Sequence, residues 1–120
     1  MEKLELNHKK LDTWKLSRKF VKDIYKATND FPKAEMYGIV SQIRRASVSI
    51  VCNIAEGSAR RSPLERKRFY EISRSSMVEV DTLLELSLDL SFIEKDKYEE
   101  LCNQVTQIFK MISKLIEKTN

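Results

Sequence analysis

Ser62-Pro63-Leu64-Glu65 is the strongest local signal in the chain. A serine here can accept from the free amides of a first helical turn, and proline suits that turn because its missing N–H is not needed there. Glu65 can then reach back to the Ser62 amide. A helix therefore starts at about residue 63. It carries Phe69, Ser73, Ser76, Val80, Leu83, Leu84 and Ser87 toward residue 90 with no internal glycine or proline.

Upstream, Met36, Ile39, Ile43, Ala46, Ile50 and Ile54 recur at steps of three and four with Val40 beside them, a bundle core stripe that predicts a helix over about 34–57. Before it, residues 12–28 place Trp14, Val21, Ile24 and Tyr25 on one face, with Leu11 in staple position, and Asn29, Asp30 and Pro32 end the segment. Downstream, Tyr98, Leu101, Val105, Ile108, Ile112 and Leu115 form the most regular stripe of all, over about 95–118. Connections of a few residues make successive helices antiparallel. The expected architecture is all-α, a single up-down-up-down four-helix bundle domain spanning 1–120, drawn out into a rod.

Composition agrees. The 120 residues are 42% hydrophobic and 33% charged with two glycines and two prolines, the profile of a helical chain large enough for one core. Cys52 and Cys102 are isolated, and the opening residues lack the apolar run of a secretion signal, so a reducing cytoplasm is expected. Charge interrupts the apolar positions too often for a membrane span.

Four-helix bundles can hold carboxylate-bridged metal pairs, but these need inward glutamates and two Glu-x-x-His pairs. The single histidine, His8, precedes the first helix, and the inward positions are apolar or serine. Haem and zinc ligation lack ligands for the same reason. A Ser/His or Cys/His pair would require His8 to fold back. Gly38 and Gly57 stand alone, without a phosphate-binding loop. No catalytic residue, metal ligand or cofactor site is expected, and the chain does not read as an enzyme.

Three surface features remain. Ser49, Asn53 and Glu56 share one side of the second helix, where they can meet Ser76 and Glu79 of the third. That set reads either as a hydrogen-bond network fixing helix register or as a ligand site. Tyr37, Ser41, Val48, Cys52, Ala55 and Ala59 form a second strip of small or apolar residues, the pattern of a helix that also packs against a neighbouring subunit; a broad single core is the alternative.

The third feature is charge. Residues 44–74 carry eight Lys/Arg against three Asp/Glu, whereas residues 75–120 carry five against nine. Arg60, Arg61, Arg66, Lys67 and Arg68 gather at the second turn, with Arg44, Arg45 and Arg74 alongside. Phosphate oxygens are natural partners for such a group, and a solvated surface is the plainer reading. The preference for Arg over Lys favours nucleic acid, and the absence of any base-reading motif argues against sequence specificity.

The run Gln42 to Gly57, above all Arg45-Ala46, Ser49-Ile50 and Asn53-Ile54-Ala55-Glu56-Gly57, together with Arg60 and Ser73-Arg74-Ser75-Ser76 with Glu79, resembles the bacterial 23S ribosomal RNA intervening-sequence proteins, or S23-type four-helix-bundle proteins. Trp14, Tyr25, Phe31-Pro32 and Tyr37-Gly38 extend the likeness over most of the chain. Val51 and Ser75 depart from it, where the family often has proline and glycine. The resemblance implies a homopentameric bundle whose genes can lie within ribosomal RNA insertions. A related group, the accessory variability proteins of diversity-generating retroelements, implies a basic surface engaging nucleic acid and a reverse transcriptase. The family brings no established molecular function. Two readings follow: a non-enzymatic homo-oligomeric scaffold binding RNA or DNA, and a protein-protein adaptor whose arginines only solubilise it.

Overall fold

Ser62 does cap a helix. Its Oγ accepts from the Glu65 amide at 3.4 Å and Pro63 is the first helical residue, although the returning bond from Glu65 is not made and Glu65 stays exposed. The computed structural model describes residue 4 and residues 6–120. It contains α1 (Asp12–Thr28), α2 (Ile39–Ala59), α3 (Pro63–Asp89) and α4 (Lys95–Lys118), with single 3-10 turns at Asn7–Lys10 and Lys33–Glu35 and no strand among the described residues.

Each helix packs on the next and α4 closes on α1, while the backbones of the diagonal pairs, α1 with α3 and α2 with α4, do not approach within 8 Å. The four therefore stand at the corners of a square around one core, as successive short connections require. Phe20 and Ile24 of α1, Ile43, Ile50 and Ile54 of α2, Met77 and Leu84 of α3, and Leu101, Ile108 and Ile112 of α4 fill it, all essentially inaccessible to solvent. Each such side chain stabilises the fold by about 1.5–3 kcal/mol relative to exposure. The molecule measures 44 × 36 × 23 Å, broader than the rod expected from helix length.

The α4 stripe is as its spacing predicts, with Leu101, Val105, Ile108 and Ile112 buried. The α1 stripe holds only at Ile24. Its buried residues are Thr13, Ser17, Phe20, Ile24 and Thr28, while Trp14 and Val21 are half-buried and Tyr25 is exposed. Polar residues disguise this face, because Ser17 Oγ donates to the Thr13 carbonyl at 2.7 Å and Thr28 Oγ1 to the Ile24 carbonyl at 2.8 Å. Hydroxyls bonded to their own helix can be buried at little cost. In α3 likewise, Tyr70 and Met77 enter the core where Phe69 and Ser76 were expected, and Ser73 is buried by donating to the Ile50 carbonyl across the α2–α3 contact.

The second helix begins at Ile39, five residues later than its apolar spacing suggests. Lys33–Glu35 forms a 3-10 turn, and Gly38, at φ −111° and ψ −115°, interrupts the helical path. Met36 is thus outside the helix and exposed, not a core residue. The α3–α4 turn closes without glycine: Ser91 lies in the left-handed region at φ 62°. The Phe92 amide donates to the Ser87 carbonyl at 2.9 Å and the Ser91 amide to that of Leu88 at 3.0 Å, the paired bonds of a Schellman ending.

Candidate nucleic-acid interface

The α2–α3 turn is closed by its own arginines. Arg66 Nη1 donates to the carbonyls of Arg60 and Arg61 at 3.0 and 2.7 Å, satisfying acceptors beyond the end of α2. Arg60 pairs with Glu56 at 2.9 Å and lays its guanidinium 4.8 Å from the Phe69 ring centre. Arg61, Lys67 and Arg68 make no ion pair among the described residues, and Arg61 and Arg68 are exposed. A shallow cleft bounded by Arg60, Glu65, Arg68, Phe69 and Ile72 opens beside them. The turn thus offers phosphate-binding groups next to an aromatic edge.

The flanking arginines are deployed differently from that expectation. Arg44 turns inward onto α1, with Nε donating to Thr28 Oγ1 at 2.9 Å, Nη2 to the Tyr25 carbonyl at 3.2 Å, and its plane 4.5 Å from the Tyr25 ring centre. It thereby caps free carbonyls at the end of α1. Arg74 bridges to α4, donating to Ser113 Oγ at 3.1 Å near Phe109. Both guanidiniums are occupied by the fold, so the basic surface is narrower than the count of cations suggests. Arg45 is exposed on the outer side of α2.

Of the polar set, Ser49, Asn53 and Ser76 come together: the two serine hydroxyls are 2.9 Å apart, and Asn53 Nδ2 donates to the Ser49 carbonyl at 2.8 Å and to its Oγ at 3.0 Å. Glu56 instead faces Arg60, and Glu79 is exposed with no hydrogen bond to the group. The cluster is small, satisfied and internal to the α2–α3 contact. Gly57 supports that contact, because a Cβ there would lie 2.7 Å from Cε1 of Tyr70.

The second α2 strip is open to solvent over much of its length. Tyr37, in the turn before α2, is 97% exposed; Val48, Cys52 and Ala59 are exposed, and Ser41 and Ala55 are partly so. Leu6, Asn7 and His8 border a cleft with Ala55 and Ala59, so the N-terminal turn lies against the far end of the strip. Sequence periodicity left unrecognised a matching line on α3, where Leu64, Ile72, Val78, Leu86 and Leu90 are all exposed. Their signal was available as leucine, isoleucine and valine off the core stripe.

On α4, burial pushes the Cys102 thiol up despite its bond to Tyr98, and that same bond together with burial pushes the Tyr98 phenol up to about 12. Among the described residues no group of three or more His, Cys, Asp or Glu side chains is placed to hold a metal ion, and no helix is long and apolar enough to cross a membrane.

The family model described as "23S rRNA-intervening sequence protein" matches residues 9–114. The crystal structure of a protein of unknown function from the S23 ribosomal protein family of Bacteroides thetaiotaomicron VPI-5482 superposes with a TM-score of 0.80 at 25% identity. The similarity covers 88% of this chain and 99% of that one. No curated protein is detectably similar.

Proposed function

The chain belongs to the 23S rRNA-intervening sequence protein family, and from that premise we propose that it is a non-enzymatic, homo-oligomeric scaffold, a pentamer, that binds RNA through the α2–α3 turn. The observation that carries this reading is the group of cations at the turn: Arg61, Lys67 and Arg68 make no ion pair among the described residues, while Arg60 stands over Phe69. Such groups neutralise phosphates and release counterions, and an adjacent ring can take a base. One turn offers only a few contacts. Repeating it around a ring raises avidity without any new contact.

The test is RNA binding measured across a salt series. Affinity should fall steeply with added salt, and Arg61→Ala with Arg68→Ala should reduce the log-log slope by about one for each phosphate contact removed. Arg44→Ala, whose guanidinium is turned inward, should leave the slope unchanged where the protein is folded. Wild-type protein with no salt-sensitive binding at low ionic strength would remove RNA from the reading and leave the adaptor role.

A further inference from the structure

The helix α3 is apolar on two opposite sides. Tyr70, Met77, Val80 and Leu84 enter the core, while Leu64, Ile72, Val78, Leu86 and Leu90 are 79, 41, 54, 46 and 56% exposed. At about 3.6 residues per turn the second group falls along one side of the 27-residue helix, opposite the first. Single exposed leucines are ordinary; a line of five is a contact surface. Glu71, Glu79, Glu85 and Asp89, all exposed, are interleaved with it, against the cations Lys67 and Arg68 near its N-terminal end. The outer strip of α2 differs in kind: Ser41, Val48, Cys52, Ala55 and Ala59 are small or β-branched, and of the two charges beside them, Arg45 and Glu56, the second is paired with Arg60.

These strips complement each other in bulk and in charge, and each would leave the other bare if it paired with its own copy across a twofold axis. Contact between unlike surfaces repeats head to tail. Because α2 and α3 occupy neighbouring corners of the square, their outer strips diverge and do not stand back to back. Repetition of that angle closes a small ring, where opposed strips would build a filament.

We propose that the outer strip of α2 in one copy seats against the outer strip of α3 in the next, with Arg45 facing Glu79 across the contact. The inference rests on the homo-oligomeric reading above and supplies the surface that meets the α2 strip. The register comes from the hairpin itself. Ser49 is level with Ser76, and Ile50 with Ser73, within one chain. Copies rotated about an axis along the helices stay at one height, so Arg45 of one copy comes level with Glu79 of its neighbour and Val48 with Val78. Small residues on α2 let the bulkier α3 line approach closely.

The test is the mass of the full chain by light scattering over a concentration series, for wild type, Arg45→Glu, Glu79→Arg and the double reversal, with thermal melts showing that each remains folded. Val78→Ser serves as a charge-neutral variant. Wild type should be an oligomer. Each single reversal should raise the concentration for half-assembly at least about tenfold, Val78→Ser should raise it too, and the double reversal should recover most of the loss. Unchanged assembly in the single variants overturns this pairing while leaving the oligomer standing. Single variants that dissociate and a double reversal that does not recover overturn the Arg45–Glu79 register. A wild-type monomer at every concentration overturns the oligomeric reading and this contact together.

Discussion

Gly57 lies so close to Tyr70 that a Cβ on it would fall 2.7 Å from Cε1 and 2.9 Å from Cδ1 of the ring, and 3.2 Å from the Arg66 carbonyl oxygen. Tyr70 is 5% exposed, so its ring is held by neighbours on nearly every side. The glycine sets how near α2 approaches α3. Helix propensity alone favours Gly57→Ala by about 1 kcal/mol, whereas overpacking costs about 1–3 kcal/mol. The substitution should therefore destabilise the protein, read as a lower urea midpoint at constant slope; a neutral or raised midpoint contradicts the close-approach role.

Arg44 and Arg68 separate the two uses of arginine in this chain. Arg44→Ala removes hydrogen bonds to Thr28 and Tyr25 and the stack on the Tyr25 ring, and should cost about 1–2 kcal/mol of stability. Arg68 is exposed and makes no ion pair among the described residues, so Arg68→Ala should stay within about 0.5 kcal/mol of wild type. Denaturant melts that rank the two the other way would mean that the inward arginine is replaceable by solvent.

Ser91 occupies a left-handed position at the end of α3 that glycine tolerates without a Cβ penalty. Ser91→Gly should stabilise by up to about 1 kcal/mol. Ser91→Val, with a β-branched side chain at the same φ, should lower the melting temperature. The ordering Gly above Ser above Val is the readout, and Val at or above Ser would show that the turn relaxes to another conformation.

Asp23 ties α1 to α4. Burial raises its carboxyl pKa, but the hydrogen bonds from Lys19 at 2.9 Å and Gln104 at 3.1 Å, with the charges of Lys19 and Lys26, outweigh burial and hold it below the ordinary value. A carboxyl lowered on folding contributes stability above its unfolded pKa, and that contribution fades as pH falls through the folded value. Melting temperature should thus decline from about pH 4 downward. Asp23→Asn should begin less stable at neutral pH and show a shallower decline, and parallel wild-type and variant profiles would remove Asp23 from the acid transition.

Much of the fold is legible from residue spacing. The α4 stripe, the Ser62-Pro63 start of α3 and the absence of long connections are local facts, expressed within a few turns of chain, and they suffice for four antiparallel helices. Where spacing misleads, the cause is again specific. Ser17 and Thr28 look like surface residues until their hydroxyls are seen bonded to their own helix, which moves the α1 core face from Trp14 and Tyr25 to Phe20. Glycine was absent from the α3–α4 turn, so its left-handed ending carried no sequence signal.

The candidate site divides along the same line. Sequence by itself determined helix number, chain direction, the concentration of arginine near the second turn and the small-residue side of α2, because composition and a period of about 3.6 residues are properties of each segment alone. Tertiary structure alone decided which arginines remain at the surface. A guanidinium reaches several ångströms from its backbone, so whether it meets solvent or a neighbouring helix end depends on packing between helices, as Arg44 over Tyr25 and Arg74 toward Ser113 demonstrate. The same packing turned a serine-rich face of α1 inward and left a leucine-bearing face of α3 outside.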